Sequence, residues 1–476
     1  MRVGQLIDGR RLDATTGSDA RTVTVLDPAT GEFASEALVA TPAEVHDAVS
    51  AARAALPAWR RTSPADRSQT LHRVADRVRE HADRLAELTM VEMGRPLAEA
   101  RGGVDAAVGA IVQYAELGPL HRGRSLHGSY DATDLMVAQP LGVAAVITPW
   151  NDPAAVCAGL LAAALAAGNT VVHKPSERTP ATGALLTELF AAELPAGVCN
   201  LISGDGEVGR LLVEDERVDV VVHVGSTEAG RSIAAAAAAR DTKVVRENGG
   251  KDAFIVDEEV DPTWAAAHAA LGGFVNAGQL CTSVERVYVH RAVADAFVDA
   301  LVEQARSRVV GPGRDEHTTM GPLVDRRLRD AVHAQVTDAQ ERGAKALTGG
   351  EVPEGPGSFY PATVLVGCDD TMAVMREETF GPVVAVRVVD SFDEALAEAG
   401  RGAYGLAATV MTRSMANAQR AWRELEVGTV KVNAVFGGAP GGAAHPRRAS
   451  GMGFGYGPEL LDELTATKVV HLGVAP

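Results

Sequence analysis

A thiol, a carboxylate and an amide are the side chains of this sequence with the clearest capacity for covalent chemistry at an electrophilic carbon. Four cysteines, Cys157, Cys199, Cys281 and Cys368, lie far apart with no CxxC pair, so neither a zinc site nor a disulfide framework is indicated. A cysteine taken alone is more often a small buried hydrophobe than a nucleophile. To act as one, a thiol of pKa ~8.5 needs a base or a positive environment, because only a small fraction is thiolate at neutral pH. Cys281 closes the run Gly278, Gln279, Leu280, Cys281, and Glu247 opens the run Glu247, Asn248, Gly249, Gly250, Lys251. A carboxylate of this kind can activate water or accept a thiol proton; alone, it reads equally well as a solvated or paired acid beside a Gly-Gly turn. Asn151, after Pro149 and Trp150 and before Asp152 and Pro153, is either an amide donor for an oxyanion or a turn residue.

Two glycine-rich turns are candidates for holding phosphate. Gly204, Gly206 and Gly209 fit GxGxxG between a strand pattern and a helix pattern, but no strand-terminal acid follows at the distance a dinucleotide fingerprint requires, and Asp219 comes too early. The better candidate lies one unit later, where 220–224 runs into Gly225, Ser226, Thr227 and Gly230 ahead of a helix. Glycine admits a close backbone approach, and a helix N-terminus offers unpaired N–H groups. By itself this turn is also an ordinary capped helix start.

The elements around these residues alternate. Short β-branched runs at 142–148, 170–173, 199–203, 218–224 and 243–246 are separated by Ala/Leu-rich helical stretches at 153–167, 180–193, 208–214 and 228–240. Such all-apolar strands in βα units predict a parallel sheet covered on both faces, a doubly wound, Rossmann-like arrangement whose ligands bind at the carboxyl ends of its strands. A second alternation follows residue 250, with strands at 253–256, 286–290, 383–388, 406–411 and 429–432 and helices at 262–275 and 292–308. The fold class is therefore α/β, with two α/β domains. Before residue 120 the pattern is mostly amphipathic helix, as in 64–93, where Leu71, Val74, Val78, Leu85 and Leu88 recur at helical spacing and are assigned to the core. The polar segment 123–139 and a short strand at 465–472 have no partner within either domain.

Composition agrees with that class. At 476 residues, 46% hydrophobic and 4% aromatic, the chain is expected to form two large domains with helices packed closely on sheets. A net charge of −17 excludes nucleic acid and anionic membrane as natural partners, since both call for a basic surface. The longest apolar stretch, 153–168, is too short to span a bilayer, and 1–10 has no apolar signal region, so a cytoplasmic location is expected. No metal is indicated.

Taken in order, Pro149-Trp150-Asn151, Lys174-Pro175-Ser176-Glu177, Gly225-Ser226-Thr227 with Gly230, Glu247-Asn248-Gly249-Gly250-Lys251, Gly278-Gln279-Leu280-Cys281 and Glu378-Thr379-Phe380-Gly381-Pro382 resemble the aldehyde dehydrogenase superfamily. The resemblance covers nearly the whole chain, and Glu247 precedes Cys281 by 34 residues, like the family's base and nucleophile. It implies NAD-dependent oxidation of an aldehyde to a carboxylate, by water rather than CoA. In that scheme Cys281 attacks the aldehyde carbon, Asn151 and the Cys281 N–H hold the oxyanion, and Glu247 activates the water that hydrolyses a thioester. It also implies that Lys174, Ser176 and Glu177 lie on the adenine-ribose side, with Gly209 as a wall there. Trp150, Gly225, Ser226 and Gly230 would line the path of the diphosphate and nicotinamide, and Glu378 and Phe380 its nicotinamide end. A carboxylate at Glu177 accepts free ribose hydroxyls and repels a 2′-phosphate, which favours NAD over NADP, although Lys174 could partly rescue NADP. Residues 1–122 with 141–247 would form the NAD-binding domain, 248–449 the catalytic domain, and 123–140 with 450–476 a strand-exchanging element of a homodimer or homotetramer.

Four departures from the family pattern bear on chemistry. Asp152 stands where an aromatic or apolar residue usually lines the aldehyde tunnel; it would favour a polar or cationic substrate, unless it caps the helix that starts at Pro153. Asn248 replaces a leucine, and Gly455 replaces a glutamate associated with proton relay. The loop 440–451 is longer than usual, and its His445, Arg447 and Arg448 suit an anionic substrate or, more simply, an exposed basic loop.

Overall fold

The computed structural model describes residues 1–12, 21–438 and 442–475. Its first sheet has eight strands in the order Gly451–Met452, Lys243–Glu247, Val220–Val224, Val143–Ile147, Thr170–Lys174, Cys199–Leu201, Gln5–Ile7 and Arg10–Leu12. The five central strands run parallel, and antiparallel strands close both ends. Their apolar runs are buried on both faces, as βα units demand: Ala144, Val146, Val220 and Val222 face one helical layer, and Val143, Ala145, Val172 and Val221 the other. From Val143–Ile147 the chain builds outward on one side through Thr170–Lys174 and Cys199–Leu201, then returns to the other side with Val220–Val224 and Lys243–Glu247. Strand order thus reverses between Ile147 and Val224, and the switch point opens a crevice at their carboxyl ends.

The second sheet has seven strands, in the order Lys345–Thr348, Thr363–Val366, Val383–Val389, Val284–His290, Asp252–Val256, Ala407–Met411 and Thr429–Val432. All neighbours are parallel except the edge strand Lys345–Thr348. Residues 248–251 pass directly from the carboxyl end of Lys243–Glu247 to the amino end of Asp252–Val256. The segments that precede strands in the second sheet, with Gly250, Cys281 and Phe380, therefore face the carboxyl ends of the first.

Thr465–Leu472 pairs with Thr133–Pro140 over its full length, and Arg124–Leu126 extends this to a separate three-stranded sheet. Gly451–Met452, by contrast, pairs with Lys243–Glu247. The first part of 450–476 therefore belongs with the first sheet, and only its last strand with the small one.

Local chemistry sets the helix starts. Thr41 and Glu44 form a capping box before Pro42–Trp59, and Asp205, Ser226 and Asp261 each take an N–H of the helix that follows. The amphipathic pattern 64–93 is two helices, Pro64–Glu80 and Ala82–Met93, rather than one. His81 leaves the helical region between them (φ −105°, ψ 15°), and its Nδ1 lies 2.9 Å from the Arg77 carbonyl oxygen. Among the described residues no helix is long and apolar enough to cross a membrane, and no group of three or more His, Cys, Asp or Glu is placed to hold a metal ion.

Candidate active site

A cleft of about 610 Å³ occupies the switch point. The backbone at its nucleophile end is held in an unusual conformation. Asn276, Ala277 and Gly278 are consecutively left-handed, with φ of 51°, 54° and 72°. Two non-glycine residues in that region cost free energy and persist only where neighbours over-determine them. Here the Asn276 amide donates to the carbonyl oxygens of Asn151 (3.1 Å) and Gln279 (3.2 Å), and the Gln279 amide donates back to Asn276 O (2.9 Å). Gly278 has no substitute, because a Cβ there would lie 2.1 Å from the Gly381 carbonyl oxygen. This folded turn carries Cys281 to the mouth of the cleft, partly exposed, while Cys157, Cys199 and Cys368 are buried.

Burial, joined by the charges of Glu247, Asp252 and Glu378, pushes the Cys281 thiol up to about 12. Glu247 ends its strand beneath the same cleft. Burial raises its carboxyl above the usual range, opposed by the nearby Gly455 N–H. Asn151 is buried and donates to Gln279 O at 3.1 Å; this uses one of its two amide hydrogens.

The Gly249-Gly250 pair has a steric reason. A Cβ at 249 would fall 2.2 to 2.4 Å from the Glu378 carboxyl atoms, and one at 250 would fall 2.7 Å from the Cys281 carbonyl oxygen. Glu378 accepts the Gly250 N–H at 2.9 Å, and burial beside Glu285 holds its carboxyl at about 8. Phe380 has φ +53° and is fixed from behind: Glu285 accepts the N–H groups of Thr379 and Phe380 (2.9 and 2.8 Å), and Lys251 donates to Glu285 and Thr379 (2.6 and 2.9 Å). Lys251 and Glu285 are almost fully buried. The Phe380 ring meets Trp150 edge to face at 5.4 Å, and the Arg178 guanidinium lies 5.1 Å over Trp150.

At the opposite end, Lys174 is buried, donates to Pro175 O (3.0 Å) and has Nζ 3.8 Å from Glu177. A Cβ at Gly209 would rest 3.5 Å from the Lys174 Cδ, so the glycine leaves the lysine stem open to the cleft. Ser176 accepts the Arg178 N–H, and Ser226 caps the helix Thr227–Ala238. Trp150, Asn151, Lys174, Ser176, Glu177, Gly209, Gly225, Ser226, Glu247, Cys281, Glu378 and Phe380 all line this one cleft.

Two expected residues stand elsewhere. Gly230 does not line the cleft; a Cβ on it would lie 2.0 Å from the Asn248 Oδ1, so its role is to make room for that side chain. Asp152 does not line it either. Its Oδ1 is 3.0 Å from the Arg95 Nη1, and the helix Pro153–Ala166 starts without a side-chain cap. The carboxylate is committed to an ion pair, neither capping the helix nor standing free to receive a cationic substrate. Two of the three basic side chains of the loop are committed too: Arg448 donates to Gly400 O and Gly402 O and pairs with Glu426, and His445 Nε2 accepts the Gly453 N–H, while Arg447 is exposed. Pro440 and Gly441, at the start of that loop, lie outside the described residues. Sequence reading missed Arg178, His223 and the Lys251–Glu285 pair. Glu285, four residues after Cys281, was the one signal available for the last.

A switch-point cleft ending on a cysteine, a half-buried carboxylate and an amide defines an α/β oxidoreductase. The sequence matches the aldehyde dehydrogenase family over residues 15–470. It is 36% identical to the betaine aldehyde dehydrogenase of Cereibacter sphaeroides, over 99% of this chain and 97% of that protein. The fold superposes on an NADP-dependent enzyme of E. coli with a TM-score of 0.96 at 34% identity, covering 99% of this chain and 98% of that one. It superposes on the betaine aldehyde dehydrogenase of Staphylococcus aureus in complex with NAD+ with a TM-score of 0.95 at 31% identity, covering 99% and 95%. The chain belongs to the aldehyde dehydrogenase family and is an NAD(P)-dependent aldehyde oxidoreductase.

Proposed function

We propose that the chain oxidises an aldehyde to its carboxylic acid with NAD, by way of a thiohemiacetal and a thioester on Cys281. The observation that carries this reading is the convergence of Cys281, Glu247 and Asn151 on the cleft that Lys174, Glu177, Ser226 and Glu378 also line. The fit to a dinucleotide rests on the chain's own groups: the Ser226-capped helix N-terminus suits a diphosphate, and Glu177 and Glu378 suit ribose hydroxyls at opposite ends. When bound, the nicotinamide supplies the hydride acceptor.

The protein's part follows from its groups. Glu247 takes the Cys281 proton and passes it to solvent, and the thiolate attacks the aldehyde carbon; the free Asn151 amide hydrogen and the Cys281 N–H take the developing oxyanion. Loss of hydride from that carbon leaves the thioester. Glu247 then deprotonates water, hydroxide adds to the thioester carbon, and the C–S bond breaks to release carboxylate and regenerate the thiol. Glu177 disfavours a 2′-phosphate, and Arg210, which also lines the cleft, is already paired with Glu214, so NAD is the preferred cofactor. Similarity to betaine aldehyde dehydrogenases makes a quaternary ammonium aldehyde one candidate substrate; Asp152, already paired with Arg95, is not free to receive its cation. The unpaired outer edges of the small sheet, on Arg124–Leu126 and Thr465–Leu472, support a homo-oligomer.

The test is formation of NADH from NAD, or NADPH from NADP, with a panel of aliphatic, aromatic and amino aldehydes and betaine aldehyde. Turnover with NAD that disappears in Cys281→Ala is expected. Activity that survives this substitution would refute the thioester route, and faster turnover with NADP than with NAD would refute the cofactor preference.

A further inference from the structure

His223 is the last residue but one of the strand Val220–Val224, and the cofactor scheme leaves it unused. Neighbouring residues decide which way it faces. Val220 and Val222 pack into one helical layer, whereas Val221 packs into the other with Val208, Leu212 and Ile233. His223 shares the Val221 face, lines the cleft and is 4% exposed. Its ring lies directly against the Gly225-Ser226 turn: a Cβ at 225 would stand 2.8 Å from its Cε1 and 3.1 Å from its Nε2. Any larger residue at 225 would therefore seal the imidazole from the cleft.

Both ring nitrogens are buried without a hydrogen-bond partner. The Ser226 backbone lies near enough to favour the charged ring slightly, but burial and the Lys174 and Arg246 charges outweigh it and hold the imidazole down to about 4. At neutral pH one nitrogen therefore carries a hydrogen and the other a lone pair. Buried polar groups are paired in nearly all native structures, and an exception asks for a ligand. This one sits beside the N-terminus of the twelve-residue helix Thr227–Ala238, where an anion is favoured by the unpaired N–H groups and the helix dipole.

We propose that His223 is a cofactor-binding residue, its imidazole N–H donating from the cleft floor to a diphosphate oxygen held at the Gly225-Ser226 turn. This rests on the cofactor reading of the cleft, and the two fail in different ways.

The measurement is equilibrium binding of NAD, ADP-ribose and adenosine to the full-length enzyme and to His223→Phe, without substrate. His223→Phe keeps the ring and removes only unpartnered nitrogens, so the apo melting temperature should hold. NAD and ADP-ribose should bind about tenfold or more weakly, as befits loss of a hydrogen bond to a charged acceptor, with adenosine unchanged. His223→Gln, which restores an N–H, should recover part of the loss. Unchanged NAD binding in both variants, or an equal loss for adenosine, overturns the assignment. If the wild-type protein binds neither NAD nor ADP-ribose, the cofactor reading itself falls. If His223→Phe does not fold, His223→Gln decides: it should stay within a few-fold of wild type for NAD while His223→Leu does not, and equal binding by both overturns the proposal.

Discussion

At the scale of single residues, Gly455 shows how a departure from the family pattern acquires a physical reason. The position lacks a side chain because the Glu247 carboxyl fills the space: a Cβ at 455 would lie 2.4 Å from its Cδ and 2.5 Å from its Oε1. The base lies against backbone at a position where the family pattern has a glutamate. Gly455→Ala must displace it from the Gly455 N–H, whose nearness opposes burial. The Glu247 pKa then rises further, less of it is ionised near neutrality, and the acid limb of the kcat–pH profile moves to higher pH. A shift of that limb by about one unit is expected; a profile superimposable on wild type would contradict this role. The thiol gives a second prediction. With Cys281 held at about 12 in the free enzyme, its alkylation by iodoacetamide should rise about tenfold per pH unit from 7 to 10, and a plateau near pH 8 would show that the thiol is already activated. Cys281, Glu247 and Asn151 were legible in the sequence because ordered motifs named them. Gly230 was misread and Asp152 left open for one reason: sequence order cannot tell which face of an element a residue takes, nor that Arg95, 57 positions away, reaches Asp152.

At the scale of elements, the loop bearing Glu378 and Phe380 owes its shape to a buried ion pair. Glu285 receives two backbone N–H groups from that loop and the Lys251 ammonium, which also bonds Thr379. Glu285→Ala leaves Lys251 buried without its carboxylate, at a cost of about 3–5 kcal/mol, and releases Phe380 from its left-handed conformation. Its melting temperature should fall, and KM for NAD should rise more than kcat falls. Glu285→Gln, which keeps an acceptor for the loop N–H groups, should recover most of the KM but not all of the stability. A variant with unaltered KM would remove the pair from cofactor positioning. Such a pair is invisible in sequence because its members sit 34 residues apart, Lys251 just before one strand and Glu285 on its neighbour. The strands themselves were legible: β-branched runs such as 220–224 and 429–432 are buried on both faces or packed against core and carry no competing helical period. The helix break at His81 was not, since neither glycine nor proline marks it. Nor were the short N-terminal strands Arg2–Val3 and Thr22–Leu26, whose mixed polar residues reflect one solvated face.

At the scale of the whole molecule, the carboxyl ends of the first sheet meet the amino ends of the second, so Glu247 and the adenine-side groups come from one sheet, Cys281, Glu378 and Phe380 from the other, and they meet only in the cleft. The small sheet lies outside that plan. Its strands Thr465–Leu472 and Arg124–Leu126 each have one edge unpaired among the described residues, and Val469 and Leu472 are 66% and 57% exposed. An exposed apolar edge invites pairing with another chain, and a second copy is the partner that symmetry favours. Neither Val469 nor Leu472 lines the cleft, so Val469→Asp with Leu472→Asp should reduce the mass seen by light scattering toward one chain while leaving far-UV circular dichroism intact. Binding of NAD should persist in the separated subunit, because all the residues assigned to the cofactor come from one chain. An unchanged mass would place the interface elsewhere, and loss of NAD binding together with dissociation would mean that assembly props the cleft open.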